Sequence, residues 1–120
     1  TVDYVPGSGW AAPAVVRRAV EFIEDHAAEP VTLEAIAAAA GVGTRSLQAA
    51  FSRHLDVTPL GQLYRVRLNR VRQELLDTQP GDGSTVAEIA RRWGFANRGR
   101  FAAAYHSAFG ELPSQTLRQG

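Results

Sequence analysis

Two stretches of this 120-residue chain carry one pattern. Thr32, Ile36, Ala37, Gly41 and Val42 recur 53 residues later as Thr85, Ile89, Ala90, Gly94 and Phe95. Leu47, Phe51, Leu55 and Pro59 recur 54 residues later as Phe101, Tyr105, Phe109 and Pro113. The change of offset means that one residue has been added in or just after the glycine turn. Self-similarity of this kind constrains a chain more than its composition does, because both copies must fold alike. Each copy reads as a short helix capped by Thr, a tight turn at Gly, and a second helix with an apolar i, i+4, i+8 stripe. That is the helix-turn-helix layout.

The segments around the repeat are also helical. Pro13 is a good first helical residue, Val16, Val20, Ile23 and Ala27 follow at helical spacing, and Pro30 stops the run. Leu33, Ile36, Ala37 and Ala40 form the stripe of the next helix, and a third is predicted from about Thr44 to Leu55. Thr58 and Pro59 then start a long helix reaching about Asp77. Its apolar positions are Leu63, Val66, Val71, Leu75 and Leu76, and its other faces carry Arg65, Arg67, Arg70 and Arg72. Residues 80–84 read as a loop. Thr85 caps a helix with Val86, Ile89, Ala90 and Trp93 apolar. A further helix runs from about Asn97 to Phe109, Gly110 ends it, and Pro113 opens a short last one. Period-two alternation is nowhere sustained, so the fold is predicted to be all-α. The expected organisation is a linker at 1–12, a first helix-turn-helix unit at 13–57, a linker helix at 58–79 and a second unit at 80–120.

Composition excludes several classes of function. Apolar residues make up 45% of the chain, enough for a core. No apolar run is long enough to span a bilayer, so no membrane partner is expected, and no secretory leader opens the chain. Cysteine is absent, which removes disulfides and thiolate metal sites and suits a cytoplasmic protein. His26, His54 and His106 lack metal-ligand spacing, and no H-E-x-x-H, G-x-S-x-G or P-loop occurs. Glu24 and Asp25 are sequence neighbours, so they point to different sides of a helix and make a poor acid/base pair. No enzyme activity, cofactor or metal is expected. Thr1 at the start, with Pro6, Gly7, Ser8 and Gly9 behind it, reads as the linker of an excised C-terminal piece of a longer protein.

Net charge is +1, but it is unevenly spread. Residues 1–44 hold two Arg against six acids (−4), residues 45–100 hold ten Arg against five (+5), and the remainder balances. From charge alone, a solvated helix surface is a better explanation of this than a basic face for an anionic polymer. The repeat favours double-stranded DNA. A second helix turned away from its own core can enter the major groove. A linker helix of about 20 residues, some 30 Å long, would let two such helices reach successive grooves. In the first unit Leu47, Ala50, Phe51 and Leu55 point inward, and the opposite arc holds Arg45, Gln48, Ala49, Ser52 and Arg53. Arg45 suits a bidentate contact to guanine and Gln48 one to adenine. In the second unit Phe101, Ala104, Tyr105 and Ala108 point inward, and Gly99, Ala103 and His106 lie opposite. Arg98 and Arg100, near its start, suit bases or phosphates equally well. The second unit is therefore expected to add more affinity than specificity. The helix starts near Thr32, Thr58 and Thr85 are either phosphate clamps or plain caps. Arg67, Arg70, Arg91 and Arg92 are either phosphate contacts or ion-pair partners. The rival reading is a helical protein-interaction module that has lost specific DNA binding. Its acidic first helix (Glu21, Glu24, Asp25, Glu29) would then face a partner such as RNA polymerase or the missing domain.

Over residues 13–118 the chain resembles the DNA-binding domain of the AraC/XylS family of bacterial transcription regulators. The residues that carry the likeness in the second unit are Val86-Ala87-Glu88-Ile89-Ala90, Trp93-Gly94-Phe95, Phe101, Tyr105, Phe109-Gly110, Pro113-Ser114 and Arg118. In the first unit they are Leu33, Ile36-Ala37, Val42, Leu47-Gln48, Phe51, Thr58-Pro59, Arg67-Leu68 and Leu75-Leu76. The resemblance implies seven helices in two helix-turn-helix units and control of transcription at a promoter. It places base-reading positions at Arg45, Gln48, Ala49 and, by analogy, Ser52, and in the second unit at Arg98, Gly99, Arg100 and Ala103. Three departures stand out. Gly43 replaces the usual capping Ser, so Thr44 is an alternative cap. Asp56 replaces the usual helix-ending Gly. Ala49 and Ala103 replace longer polar side chains, leaving contact with a thymine methyl as their way of reading a base.

Overall fold

The structure, a computed structural model, describes residues 13–79 and 81–119. The expected linker at 1–12, and Pro80 of the expected loop, lie outside the described residues. Among the described residues there are seven α-helices and no strand: α1 (Ala14–His26), α2 (Leu33–Ala40), α3 (Thr44–His54), α4 (Pro59–Asp77), α5 (Val86–Arg92), α6 (Arg98–Phe109) and α7 (Pro113–Gln119). They fall into two compact units. The first contains residues 13–26 and 31–64, the second residues 27–30 and 65–119.

Local chemistry sets most helix boundaries. The Thr32 hydroxyl accepts the Ala35 amide at 3.1 Å and starts α2. Thr58 does the same for Gly61 at 2.9 Å, with Pro59 as the first residue of α4. Thr85 and Glu88 form a reciprocal capping box at the start of α5, each satisfying the other's backbone amide at 3.1 Å. Pro13 stands just before α1 rather than in it, its carbonyl accepting the Arg17 amide.

The sequence repeat is repeated in the hydrogen bonds. After α2, the Gly41 amide donates to Ala38 and the Val42 amide to Ala37; after α5, Gly94 donates to Arg91 and Phe95 to Ala90. Both glycines are left-handed, at φ 77° and 89°, where a side chain would clash with its own backbone. Gly43 follows Val42 directly as the residue capping α3, whereas Ala96 intervenes between Phe95 and the α6 cap, Asn97. Ala96 is therefore the residue that changes the offset from 53 to 54.

In the first unit α1, α2 and α3 contact one another. Their buried faces are Val16, Ala19 and Ile23, then Ile36, Ala37 and Ala40, then Leu47 and Phe51. In the second, Leu68, Val71 and Leu75 of α4 join Ile89, Ala90, Phe95, Phe101 and Tyr105 in one apolar cluster. Each large apolar side chain removed from water in this way contributes about 1.5–3 kcal/mol. Two expected inward positions are exposed. α3 stops at His54, so Leu55 lies past the last helical turn and is 36% exposed. Ala108 is exposed, because in that turn it is the Phe109 ring that packs on the cluster, 4.7 Å from Tyr105.

Candidate nucleic-acid interface

Burial of Leu47 and Phe51 fixes which way α3 faces. Arg45, Gln48, Ala49, Ser52 and Arg53 are all exposed. At about 100° per residue they occupy one arc of roughly 140°. Gly43, not Thr44, is the capping residue, and no side chain bonds to the first amides of α3. Thr44 cannot cap because its backbone is already helical, which turns its hydroxyl away from the amides ahead.

α6 is oriented by Phe101 and Tyr105 and capped by Asn97, whose Oδ1 accepts the Arg100 amide at 2.8 Å. Arg98, Gly99, Arg100 and Ala103 are exposed, as is His106. On the helical wheel Gly99, Ala103 and His106 form the centre of the outer face, with Arg98 and Arg100 about 100° to either side of Gly99. A small-residue centre flanked by two cations lets a helix sink into a groove while each Arg reaches toward one wall. Among the described residues, the guanidinium groups of Arg45, Arg53, Arg98 and Arg100 make no hydrogen bond or ion pair.

Other arginines have structural duties. Arg67 donates from Nε to the Ala27 carbonyl at 2.8 Å and from Nη2 to the Glu29 carbonyl at 2.7 Å. Partial burial lowers its pKa. A Cβ on Gly94 would come within 3.2 Å of its Nη1, a tight approach to a side chain already held by two carbonyls. Arg92 pairs with the Glu74 carboxylate, whose other oxygen accepts the Trp93 indole N–H at 2.9 Å. The Arg70 guanidinium lies 5.9 Å from the centre of the Trp93 ring. Arg91 is exposed and has no ion-pair or hydrogen-bond partner among the described residues. The sequence pattern cannot separate Arg91 from Arg92, since adjacent arginines differ only in which meets an acid from another helix. The hydroxyls of Thr32, Thr58 and Thr85 are all engaged as caps.

Sequence reasoning missed one buried polar chain. The Tyr105 hydroxyl donates to Thr116 Oγ1 at 2.7 Å, and the Thr116 hydroxyl donates to the Glu111 carboxylate. Gln119 Nε2 donates to the other Glu111 oxygen at 3.0 Å. These bonds hold the Glu111 carboxyl below its usual pKa, and burial raises that of Tyr105. The chain fastens α7 beneath α6. The only hint of it in the sequence is polar Thr116 in the last helix.

A family model described as a helix-turn-helix domain matches residues 36–119. The crystal structure of a probable AraC family transcriptional regulator from Rhodopseudomonas palustris superposes with a TM-score of 0.82. It is 36% identical, and the match covers 89% of this chain and 97% of that one. The chain belongs to the AraC family of helix-turn-helix domains. Among curated relatives, the probable thc operon regulatory protein of Rhodococcus erythropolis is 44% identical over 108 residues, 90% of this chain and 32% of that protein. A XylDLEGF operon transcriptional activator of Pseudomonas putida is 42% identical over 102 residues, 85% of this chain and 32% of that protein. The chain thus spans about a third of the length of these relatives. As an AraC-type domain it binds DNA sequence-specifically in the regulation of transcription, and the seven α-helices among the described residues are those expected from the sequence.

Proposed function

We propose that α3 is the main base-reading helix of this AraC-type domain and α6 its anchor, the two entering successive major grooves of one asymmetric duplex site. The observation that carries this reading is the outer arc of α3, where Arg45, Gln48, Ala49, Ser52 and Arg53 are exposed and both arginines lack a partner among the described residues. A charged group left without a partner in the protein is available to guanine or phosphate at no cost in internal bonds. Arg45 reads guanine and Gln48 adenine, Ala49 contacts a thymine methyl, and Ser52 and Arg53 complete the face. Arg98 and Arg100 hold the backbone on either side of α6, while Gly99 and Ala103 permit close approach.

In the whole protein this domain is the DNA-reading part of a bacterial regulator that works in the cytoplasm. The remaining two-thirds suggested by the curated relatives would supply an effector-binding or dimerisation domain. The acidic outer face of α1, with Glu21 and Asp25 exposed, suits contact with RNA polymerase or with that domain.

Selection of the domain on randomised duplex DNA tests the proposal, followed by titration of the recovered sequence with wild type and Arg45→Ala. The expected result is a motif spanning two turns of the duplex in which Arg45→Ala relaxes one position at a cost of about 1–3 kcal/mol. A motif of one turn, or one that Arg45→Ala leaves unchanged, overturns it.

A further inference from the structure

We propose that the groove beside the start of α6 binds a small apolar carboxylate, and that its occupant competes with DNA for Arg98. The groove is a cavity of about 290 Å³ lying wholly within the second unit. Its walls are Val86 and Ala90 of α5, Phe101 and Ala102 of α6, and Leu112 from the turn into α7, with Arg98 also lining it. Leu112 is 44% exposed, an apolar side chain facing solvent instead of core.

The chemistry of the occupant follows from this lining. Apolar walls reward an apolar body, and a volume near the lower end of the range for small-molecule sites admits a ligand of about a dozen heavy atoms. The charged group at the cavity is a guanidinium with no partner among the described residues. It repels a cation and offers a neutral ligand only ordinary hydrogen bonds, but it binds a carboxylate through stronger, charge-assisted ones. The start of α6, a helix of 12 residues, adds its own preference for negative charge. A ring packed against Phe101 with a short carboxylate tail meets both demands.

The consequence concerns regulation. Arg98 is the first residue of the helix proposed to anchor the second unit on DNA. A guanidinium closed on a carboxylate in the groove is withdrawn from a phosphate or base. The ligand would therefore weaken DNA binding without unfolding anything. The site itself stands apart from the DNA reading; the antagonism rests on it.

Calorimetric titration of the 120-residue chain with 4-phenylbutyrate and its neutral amide, at fixed ionic strength and without DNA, tests the site. The acid is expected to bind at least about tenfold more tightly than the amide. Arg98→Gln should abolish that preference, and Ala102→Trp, which fills the groove, should abolish binding of both. Equal affinity for acid and amide on the wild type, no binding at millimolar concentration, or unchanged binding to a folded Ala102→Trp protein overturns the site. Should Ala102→Trp fail to fold, the acid-to-amide ratio in wild type and Arg98→Gln still decides. A second titration follows DNA affinity as each compound is added. Weakening by the acid alone is expected, and equal DNA affinity with the acid bound overturns the antagonism. Failure of the chain to bind DNA at all would defeat the DNA reading and leave the calorimetric result standing.

Discussion

Asp56 carries the one non-glycine backbone of positive φ among the described residues, at 55°. It sits just past α3, where its amide donates to the Phe51 carbonyl at 3.0 Å. Gly110 occupies the matching place after α6, at φ 76°. The left-handed region is costly for a residue with a Cβ, and Asp only partly offsets that cost by local hydrogen bonding. Asp56→Gly should therefore stabilise the domain by about 0.5–1 kcal/mol in denaturant unfolding, and a loss of stability would show that the Asp side chain contributes something the backbone argument omits. Gly43 is the reverse case. Its backbone is extended, at φ −80° and ψ 167°, and a Cβ there would meet nothing within 4 Å. Its counterpart Asn97 caps α6 with its side chain. Gly43→Asn should give α3 the same cap and add a few tenths of a kcal/mol, measurable as a rise in the unfolding midpoint. The departures of Gly43 and Asp56 from the family pattern were legible in the sequence. Which backbone each would adopt was not, because a Gly or Asp is compatible with several.

At the scale of elements, α6 and α7 are joined by a polar chain rather than by apolar contact alone. Tyr105, Thr116 and Glu111 pass one hydrogen bond to the next. The two ends titrate in opposite directions. Glu111 has its pKa depressed by Thr116 and Gln119, so its contribution is present above the unfolded carboxyl value, about 4.3, and is lost as pH falls through the folded one. Tyr105 has its pKa raised, chiefly by burial, so its contribution is present below about pH 10 and is lost as pH rises through the folded value. The stability difference between wild type and Glu111→Gln should accordingly shrink on acidification below about pH 4.3, and that between wild type and Tyr105→Phe should shrink above about pH 10. Thermal unfolding across pH checks both. A difference that stays constant through either window would mean that the group keeps its ordinary pKa in the fold. None of this was legible beforehand, since Thr116 looks like a surface residue until α7 turns it inward, where it meets Tyr105 and Glu111.

For the whole molecule, a net charge of +1 understates the attraction to DNA, because ten of the thirteen arginines lie between residues 45 and 100. What matters is how many of them stay uncommitted. Arg67 and Arg92 are held by the protein, whereas Arg98 and Arg100 are exposed without partners among the described residues. If those two hold phosphates, each releases about one counterion on binding. Arg98→Ala and Arg100→Ala should then weaken binding to all sequences alike. Each should also reduce the slope of log affinity against log salt by about 0.9. A changed sequence preference with an unchanged slope would make the arginine a base reader instead. The comparison is made on two unrelated duplexes across a range of salt.

The sequence by itself determined the helices, the two glycine turns and the repeat, because caps, stripes and turn residues act over three to eight positions. It also placed Arg45, Gln48, Ala49, Ser52 and Arg53 of α3 and Gly99, Ala103 and His106 of α6 on the outer faces, since buried Leu47, Phe51, Phe101 and Tyr105 fix each helix's rotation. Only the tertiary structure decided which arginines are spent. Arg92 meets Glu74 from 18 residues away and Arg67 meets carbonyls some 40 residues away. It likewise decided that Leu55 and Ala108 face water, and that a groove opens between α5, α6 and Leu112. Periodicity reports the side of a helix a residue occupies. What stands against that side depends on segments far along the chain, and no local pattern contains it.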